Sequence, residues 1–387
     1  MKSKPVIGVI GGGQLGRMFI EEALRYNIEC IIADADPDCP ASVIAHEHIV
    51  GSIAEEGSIL RLSELADILT YEIEHIYIEP LLQLEREGKK KLIPSPQILK
   101  MVQDKGAQKL FYRQHGIPTA DFFLVHNGNE WKSVVKESGW QKWVAKSRTE
   151  GYDGRGVTIV SSRELNDGKV SPMEVPAVLE EFVDCEKELS VIVARDQQGK
   201  TALFPLVEME FDPRANLVTM LIAPARVSEA VKQKAEAIAL KVVKALDGPG
   251  LFAIEMFLEK TGRLLVNEMA PRPHNSGHHT IEACYTSQYE QLLRILLGLP
   301  LGSTKQLQPA VMLNILGALD FSGAYYLAGY GEMLKEEGVY IHLYGKKESR
   351  PMRKLGHITV LGETVDEAIK KAERVRSLMK VRKREEA

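Results

Sequence analysis

Val6-Ile7-Gly8-Val9-Ile10-Gly11-Gly12-Gly13-Gln14-Leu15-Gly16-Arg17-Met18 decides how the N-terminal part of the chain folds. A short apolar run stops at three glycines, and a helical pattern then runs from about Leu15 to Tyr26. Cys30-Ile31-Ile32-Ala33 reads as a second buried strand. Ile49-Val50 and Ile68-Leu69-Thr70-Tyr71 read as further strands with helix between them. Strands alternating with helices predict a parallel, doubly wound sheet. Leu92-Ile93-Pro94-Ser95-Pro96 closes this unit, because two prolines around a serine suit a linker better than a helix.

Working outward, Gln97 to His115 reads as one helical segment ended by Gly116-Ile117-Pro118. Short strands dominate from Trp143 to Glu268, with helix returning at Ser228–Leu246, which makes the middle of the chain α+β. After Leu299-Pro300 strands are expected at Val311–Leu316, Val339–Tyr344 and His357–Leu361. Thr364 to Glu367 then opens a terminal helix as a capping box. The basic tail Lys380–Arg384 reads as the solvated end of that helix. The expected domains are 1–96, 97–298 with a flap subdomain at about 118–185, and 299–387.

The chain has 387 residues, 49 basic against 53 acidic, and a formal net charge of −4, which excludes a bulk nucleic-acid or membrane-surface partner. Its 44% hydrophobic and 26% charged residues are those of a globular protein of two or three domains. The four cysteines, Cys30, Cys39, Cys185 and Cys284, form no CxxC pair, so neither a zinc cage nor a disulfide framework is written here. No apolar run reaches the ~18 residues of a membrane span. The first residues read as a strand and not as a signal peptide, so a cytoplasmic enzyme is expected.

Five stretches can carry chemistry. Gly11-x-Gly13-x-x-Gly16 follows a strand and opens a helix, with Asp34 ending the next strand, which satisfies the dinucleotide fingerprint; doubly wound domains also reuse this loop for other ligands. Gly151-Tyr152-Asp153-Gly154-Arg155-Gly156 puts three glycines between two strands, a flap whose amides can wrap phosphate oxygens, with Lys146 before it as a point charge. Phe252 to Met269 reads as a hairpin turning at Thr261-Gly262, which sets Glu255 opposite Glu268. Facing carboxylates destabilise a strand pair unless a cation lies between them, and Mg²⁺ is typically held by one or two carboxylates plus phosphates. Ile254, Met256, Leu258 and Leu265 would share the other face. Finally, Ala270-Pro271-Arg272-Pro273-His274-Asn275-Ser276-Gly277-His278 is a stiff loop able to place donors at an anion, and Lys346-Lys347-Glu348-Ser349-Arg350-Pro351-Met352-Arg353-Lys354 gathers five cations.

Together these motifs resemble the 5-(carboxyamino)imidazole ribonucleotide synthases of purine biosynthesis, within the ATP-grasp superfamily. The resemblance runs over nearly the whole chain. It rests on Gly11 to Met18, Thr70-Tyr71-Glu72-Ile73-Glu74, the Gly151 flap, Asn267-Glu268, Ala270 to His278 and Arg353 to His357. It implies an ATP-grasp fold with a Rossmann-like first domain and a small β-rich C-terminal domain. The implied reaction is an ATP- and bicarbonate-dependent carboxylation of 5-aminoimidazole ribonucleotide through carboxyphosphate, a species too labile to tolerate an open site.

By the same resemblance, Lys105 and Lys146 contact ATP phosphates, with Gly151, Gly154 and Gly156 over them. Glu180, Glu181, Phe182 and Val183 receive adenine, and Glu188 the ribose. Glu255 and Glu268, with Asn267 beside them, hold Mg²⁺, or Mn²⁺ in its place. Tyr152, Asp153, Arg155, Arg272, His274 and Asn275 line the bicarbonate and amine side. Gln14, Leu15, Glu74, Lys346 and Arg353 bind the ribonucleotide, and relatives imply a homodimer. Three positions depart from the family pattern: Glu150 for a glycine, Val157 for a glutamine, and Phe211 where an Asn-x-His usually follows Glu208. The rival readings are a formate-dependent glycinamide ribonucleotide transformylase, an NAD-dependent oxidoreductase and a non-catalytic nucleotide sensor.

Overall fold

The computed structural model describes residues 4–149, 156–212 and 217–384. The expected strand–helix alternation forms a five-stranded sheet in the order Glu47–Val50, Cys30–Asp34, Ile7–Ile10, Ile68–Tyr71, Lys91–Leu92, parallel throughout. Its three central strands, Cys30–Asp34, Ile7–Ile10 and Ile68–Tyr71, are buried on both faces, as parallel sheets covered by helices are, and Glu47–Val50 is a largely exposed edge. Helix Gln14–Arg25 starts directly from the glycine loop.

A larger antiparallel sheet forms the body of the molecule. From one edge it runs Leu264–Ala270, Gly250–Glu259, Cys185–Arg195, Val207–Asp212, Leu217–Ala223, Ala310–Leu316, Lys354–Leu361 and Val339–Leu343. Strand Leu217–Ala223 pairs directly with Ala310–Leu316, so the C-terminal segment continues the sheet of the middle one without a break. Helix Glu229–Leu246 lays Ala235, Ala239, Val242 and Val243 against the hairpin end, as its apolar spacing requires. A separate four-stranded sheet, in the order Phe122–Val125, Ala177–Glu181, Lys142–Ser147, Val157–Ser161, stands over the hairpin around buried Trp131 and Trp143.

The first unit is fixed to the body by one shared core. Ile7, Phe19 and Ile20 pack with Tyr289, Leu292 and Leu296 of helix Gln288–Leu297 and with Tyr344. Tyr26 donates to Glu290 (2.7 Å) and Ser287 to Glu22 (3.0 Å) across the same seam. A cleft between these units therefore has walls that do not depend on a flexible linker.

Three sequence expectations change. Gln97 to His115 is two helices, Pro96–Gln103 and Lys105–Gln114, because Asp104 leaves the helical region and caps the second through the Gly106 and Ala107 amides. The tail Lys380–Lys383 is a strand paired with Gly323–Ala328, not a solvated helix end; the helix stops at Leu378. At the start of that helix Thr364 accepts from the Glu367 amide, but Glu367 reaches back to the Glu363 amide, one residue earlier than in a capping box.

Candidate active site

The hairpin Gly250–Glu259/Leu264–Ala270 carries the facing carboxylates by a route the sequence did not predict. Its turn has three residues, not two: the Glu259 amide donates to Arg263 (2.9 Å), the Gly262 amide to Glu259 (2.8 Å), and Gly262 takes the left-handed φ of +79°. That shifts the tip, so Leu258 faces Leu264 and Met256 faces Val266. At the base Ile254 faces Met269, so one residue, Glu255, stands opposite two, Asn267 and Glu268. This bulge restores the predicted meeting of Glu255 with Glu268 and adds Asn267 to it. The apolar face is Ile254, Met256, Leu258, Leu264 and Val266; Leu265 is not part of it.

Burial, then Glu268 and Glu188, push the Glu255 carboxyl up to about 8. Burial is also the main reason Glu188 rises to about 7, with Glu268 adding to it. Carboxylates so disfavoured are a ready seat for a hard cation, and an oxygen-only donor set suits Mg²⁺. Among the described residues no cluster of three or more His, Cys, Asp or Glu forms a self-sufficient metal cage. A cation seated there would complete its coordination with a ligand's phosphates.

Lys146, on strand Lys142–Ser147, bridges the upper sheet to this hairpin. Its ammonium donates to Asn267 Oδ1 (3.0 Å) and pairs with Glu180 (2.9 Å). Burial would lower its pKa, but Glu180, Glu268 and Glu255 together raise it, so the cation persists. Glu180 is pinned from the other side by Lys109 (2.8 Å), which also donates to Thr119. Burial alone would raise the Glu180 carboxyl; the two lysines reverse that and hold it at about 2. The Glu180 side chain is thus engaged by lysines, leaving Glu181, Phe182 and Val183 beside it. Lys105 begins its helix with its amide on the Arg148 carbonyl (2.9 Å), and Arg148 pairs with the capping Asp104. Gly156 lies exposed at the end of the flap; Glu150, Gly151, Tyr152, Asp153, Gly154 and Arg155 lie outside the described residues.

The Arg272 loop closes the site's second wall. Arg272 pairs with Glu74 of the first unit (2.8 Å), and His274 Nε2 lies 3.4 Å from Glu255. The Ser276 amide and hydroxyl meet His274 Nδ1 (3.3 and 2.9 Å), and Ser276 touches Ser190 (2.9 Å). Burial, with Arg272 and Lys354 nearby, takes His274 down to about 3, so the ring is neutral. Gln288 clamps the loop by accepting from the His274 amide (2.9 Å) and donating to its carbonyl (2.8 Å). Asn275 is held in a reciprocal pair with Asn314.

The opening glycine loop carries its own anion. The amides of Gly13 and Gly16 donate to the Glu72 carboxylate, the latter at 2.8 Å, and the Gly12 amide to Asp34 (2.7 Å). A Cβ at Gly11 or Gly13 would collide with Glu72, at 2.6 and 2.4 Å. The seat a pyrophosphate would use is occupied from within, which removes the basis for the oxidoreductase reading. Gln14 and Leu15 form the first helical turn above it. The basic loop reaches the same wall: Lys347 pairs with Asp38 (2.6 Å), and Lys346 lies 5.9 Å over the Tyr344 ring. Arg353 donates to the Glu348 carbonyl (2.8 Å) within that loop.

Sequence reasoning missed Glu72 as the loop's anion, and Lys109, Gln288 and Asn314 as supports. Glu72 stood in the quoted Thr70 to Glu74 motif without that role, and Lys109 and Asn314 lay within an expected helix and strand with nothing in the pattern to mark them.

Comparison with known proteins agrees with this geometry. Residues 4–103 match the ribonucleotide synthetase preATP-grasp domain, 110–289 the ATP-grasp domain, and 310–371 the phosphoribosylaminoimidazole carboxylase C-terminal domain. The crystal structure of N5-carboxyaminoimidazole ribonucleotide synthetase from Thermotoga maritima is 44% identical, covers 98% of this chain and all of its own, and superposes with a TM-score of 0.88. The Bacillus subtilis N5-carboxyaminoimidazole ribonucleotide synthase is 37% identical over 94% of this chain and 93% of its own length.

The chain belongs to the N5-carboxyaminoimidazole ribonucleotide synthase family.

This is the family whose product is also written 5-(carboxyamino)imidazole ribonucleotide, and the chain accordingly has the ATP-grasp fold. The phosphoribosylaminoimidazole carboxylase of Saccharomyces cerevisiae is 38% identical over 93% of this chain, which spans only 64% of that longer protein. Among the described residues no helix is long and apolar enough to cross a membrane.

Proposed function

We propose that this cleft carboxylates the exocyclic amine of 5-aminoimidazole ribonucleotide, consuming ATP and bicarbonate and releasing ADP and phosphate. The observation that carries the reading is Lys146: one ammonium joins Glu180 of the upper sheet to Asn267 beside the two glutamates. Phosphoryl transfer is catalysed by positioning and charge compensation, and this cation is poised for both.

ATP lies with its phosphates toward Lys105, Lys146 and the Gly151 to Gly156 flap, its adenine along Glu181 to Val183 and its ribose at Glu188. Glu255 and Glu268, with Asn267, hold Mg²⁺ or Mn²⁺, which neutralises phosphate charge when bound. Bicarbonate attacks the γ-phosphorus, giving carboxyphosphate and ADP. Carboxyphosphate breaks down to CO₂ and phosphate, and the amine nitrogen bonds to the carbon and loses a proton. Arg272 and His274 face the anion; a neutral His274 offers a hydrogen bond without a competing charge. Tyr152, Asp153 and Arg155 complete the amine side. Gln14, Leu15, Glu74, Lys346 and Arg353 hold the ribonucleotide, which fits the meeting of Lys347 with Asp38 across these segments.

The reading includes a cytoplasmic location and a homodimer. Sedimentation of the purified chain tests the dimer. Phosphate release with bicarbonate and aminoimidazole ribonucleotide, set against formate and glycinamide ribonucleotide, tests the reaction; turnover with formate alone would favour the transformylase.

A further inference from the structure

The Arg272 loop is seated on the C-terminal part of the large sheet. Asn275 and Asn314 are both buried, at 8% and 4% exposure. Asn275 Nδ2 donates to Asn314 Oδ1 and Asn314 Nδ2 donates to Asn275 Oδ1, each at 2.9 Å. The second Asn314 N–H meets the Val218 carbonyl at 2.8 Å. A carbonyl oxygen can only accept, so Val218 fixes which way Asn314 points, and Asn314 then fixes Asn275. The same sheet face holds the loop at two more points. His357, in register with Asn314, lies 4.7 Å from the His278 ring, and His342 pairs with Glu282 (2.7 Å).

We propose that Asn314 is a positioning residue of the carboxylation site. It acts through Asn275 to hold the loop that carries Arg272 and His274. The inference rests on the reading that those two side chains work at the bicarbonate and amine. In this account Asn275 supports the loop and does not itself touch substrate. Its coupling to Asn314 places the accuracy of the reaction loop under the control of a strand from the last segment of the chain. Misplacement of reacting groups by about 1 Å can cost on the order of 100-fold in rate. A loosened loop would also let carboxyphosphate decompose before the amine captures its carbon.

The test compares wild type with Asn314→Ala, Asn275→Ala and the double variant. The readouts are kcat, both KM values, and phosphate released per carboxylated product. Amide hydrogen exchange across residues 272–283 runs in parallel on the unliganded proteins. Asn314→Ala is expected to lower kcat about tenfold or more, leave the ATP KM within about twofold, and raise phosphate per product above the wild-type ratio. The double variant should be no worse than Asn275→Ala, since both act through one contact. Exchange at the Gly277 and His278 amides should accelerate. Asn314→Ser serves as the milder substitution if Asn314→Ala does not fold.

Additive losses, or unchanged exchange with a wild-type product ratio, would overturn the proposal. If wild type itself shows no bicarbonate-dependent turnover, the functional reading fails. The exchange measurements on the same variants still decide whether Asn314 holds the loop through Asn275.

Discussion

Glu255 meets Glu268 because two irregularities in one hairpin cancel. A three-residue turn shifts the tip, and a bulge opposite Glu255 shifts it back. The like charges are thereby brought together on a rigid strand pair, at a cost in stability that a bound cation offsets. In metal-free protein Glu255→Gln should therefore raise Tm by a degree or more while abolishing ATP turnover. Glu268→Gln should likewise abolish turnover with the fold intact. Thermal unfolding in EDTA beside a phosphate-release assay checks both. Wild-type turnover in either variant would refute the carboxylate seat.

Lys109 is predicted to matter more for stability than its place in a helix implies. Removing one partner from a buried ion pair typically costs about 3–5 kcal/mol, because the other charge stays buried. Lys109→Met should lower the urea midpoint by a corresponding amount and weaken ATP binding through a shifted Lys146. The pair also has a pH signature. Glu180 ionises at about 2 in the folded state against 4.5 ordinarily, so its contribution is full above pH 4.5 and fades toward pH 2.

The buried histidines give a separate and earlier acid response. Burial lowers His279 to about 4, and His278 and His357 well below the usual value of 6.5. The unfolded chain takes up those protons first, so stability is full above about pH 6.5 and declines as pH falls. His279 alone accounts for about 3 kcal/mol by pH 4. Denaturant midpoints at pH 7, 5.5 and 4.5 should fall in that order, and His279→Gln should flatten the decline.

Much of this was legible in the residues themselves. The strand–helix alternation before Pro94, the glycine flap, whose Gly151 to Arg155 lie outside the described residues, and the Glu255/Glu268 meeting were all read from spacing. The first survives because parallel strands leave uninterrupted apolar runs. The third came out right through a register that was wrong, since no sequence rule announces a bulge. The glycine loop misled more seriously. Gly11, Gly13 and Gly16 do mark an anion at a helix start, but the anion is Glu72, 59 residues beyond Gly13, and a motif cannot say who fills its seat. Asn314 and Gln288 were invisible because their importance lies in long-range contacts, and the tail strand because its partner Gly323–Ala328 has no strong pattern.

Glu72 itself is testable. In Glu72→Gln an amide group must face one of the donating N–H groups of Gly13 or Gly16, leaving a buried donor unpaired at about 1–3 kcal/mol. The ribonucleotide KM should rise several-fold with the ATP KM little changed, and NADH should bind neither protein. Tight NADH binding to wild type would restore the dinucleotide reading.

Arg353→Ala should raise the ribonucleotide KM far more than the ATP KM, because the basic loop that carries it is tied to the first unit through Lys347 and Asp38. Equal effects on both would remove its phosphate role.

The central claim is met most directly by one assay: phosphate release from ATP by the wild-type chain, with and without bicarbonate, in the presence of 5-aminoimidazole ribonucleotide. The account predicts release that requires both co-substrates and yields one carboxylated product per phosphate. Release that ignores bicarbonate, or that appears only with formate and glycinamide ribonucleotide, would contradict it.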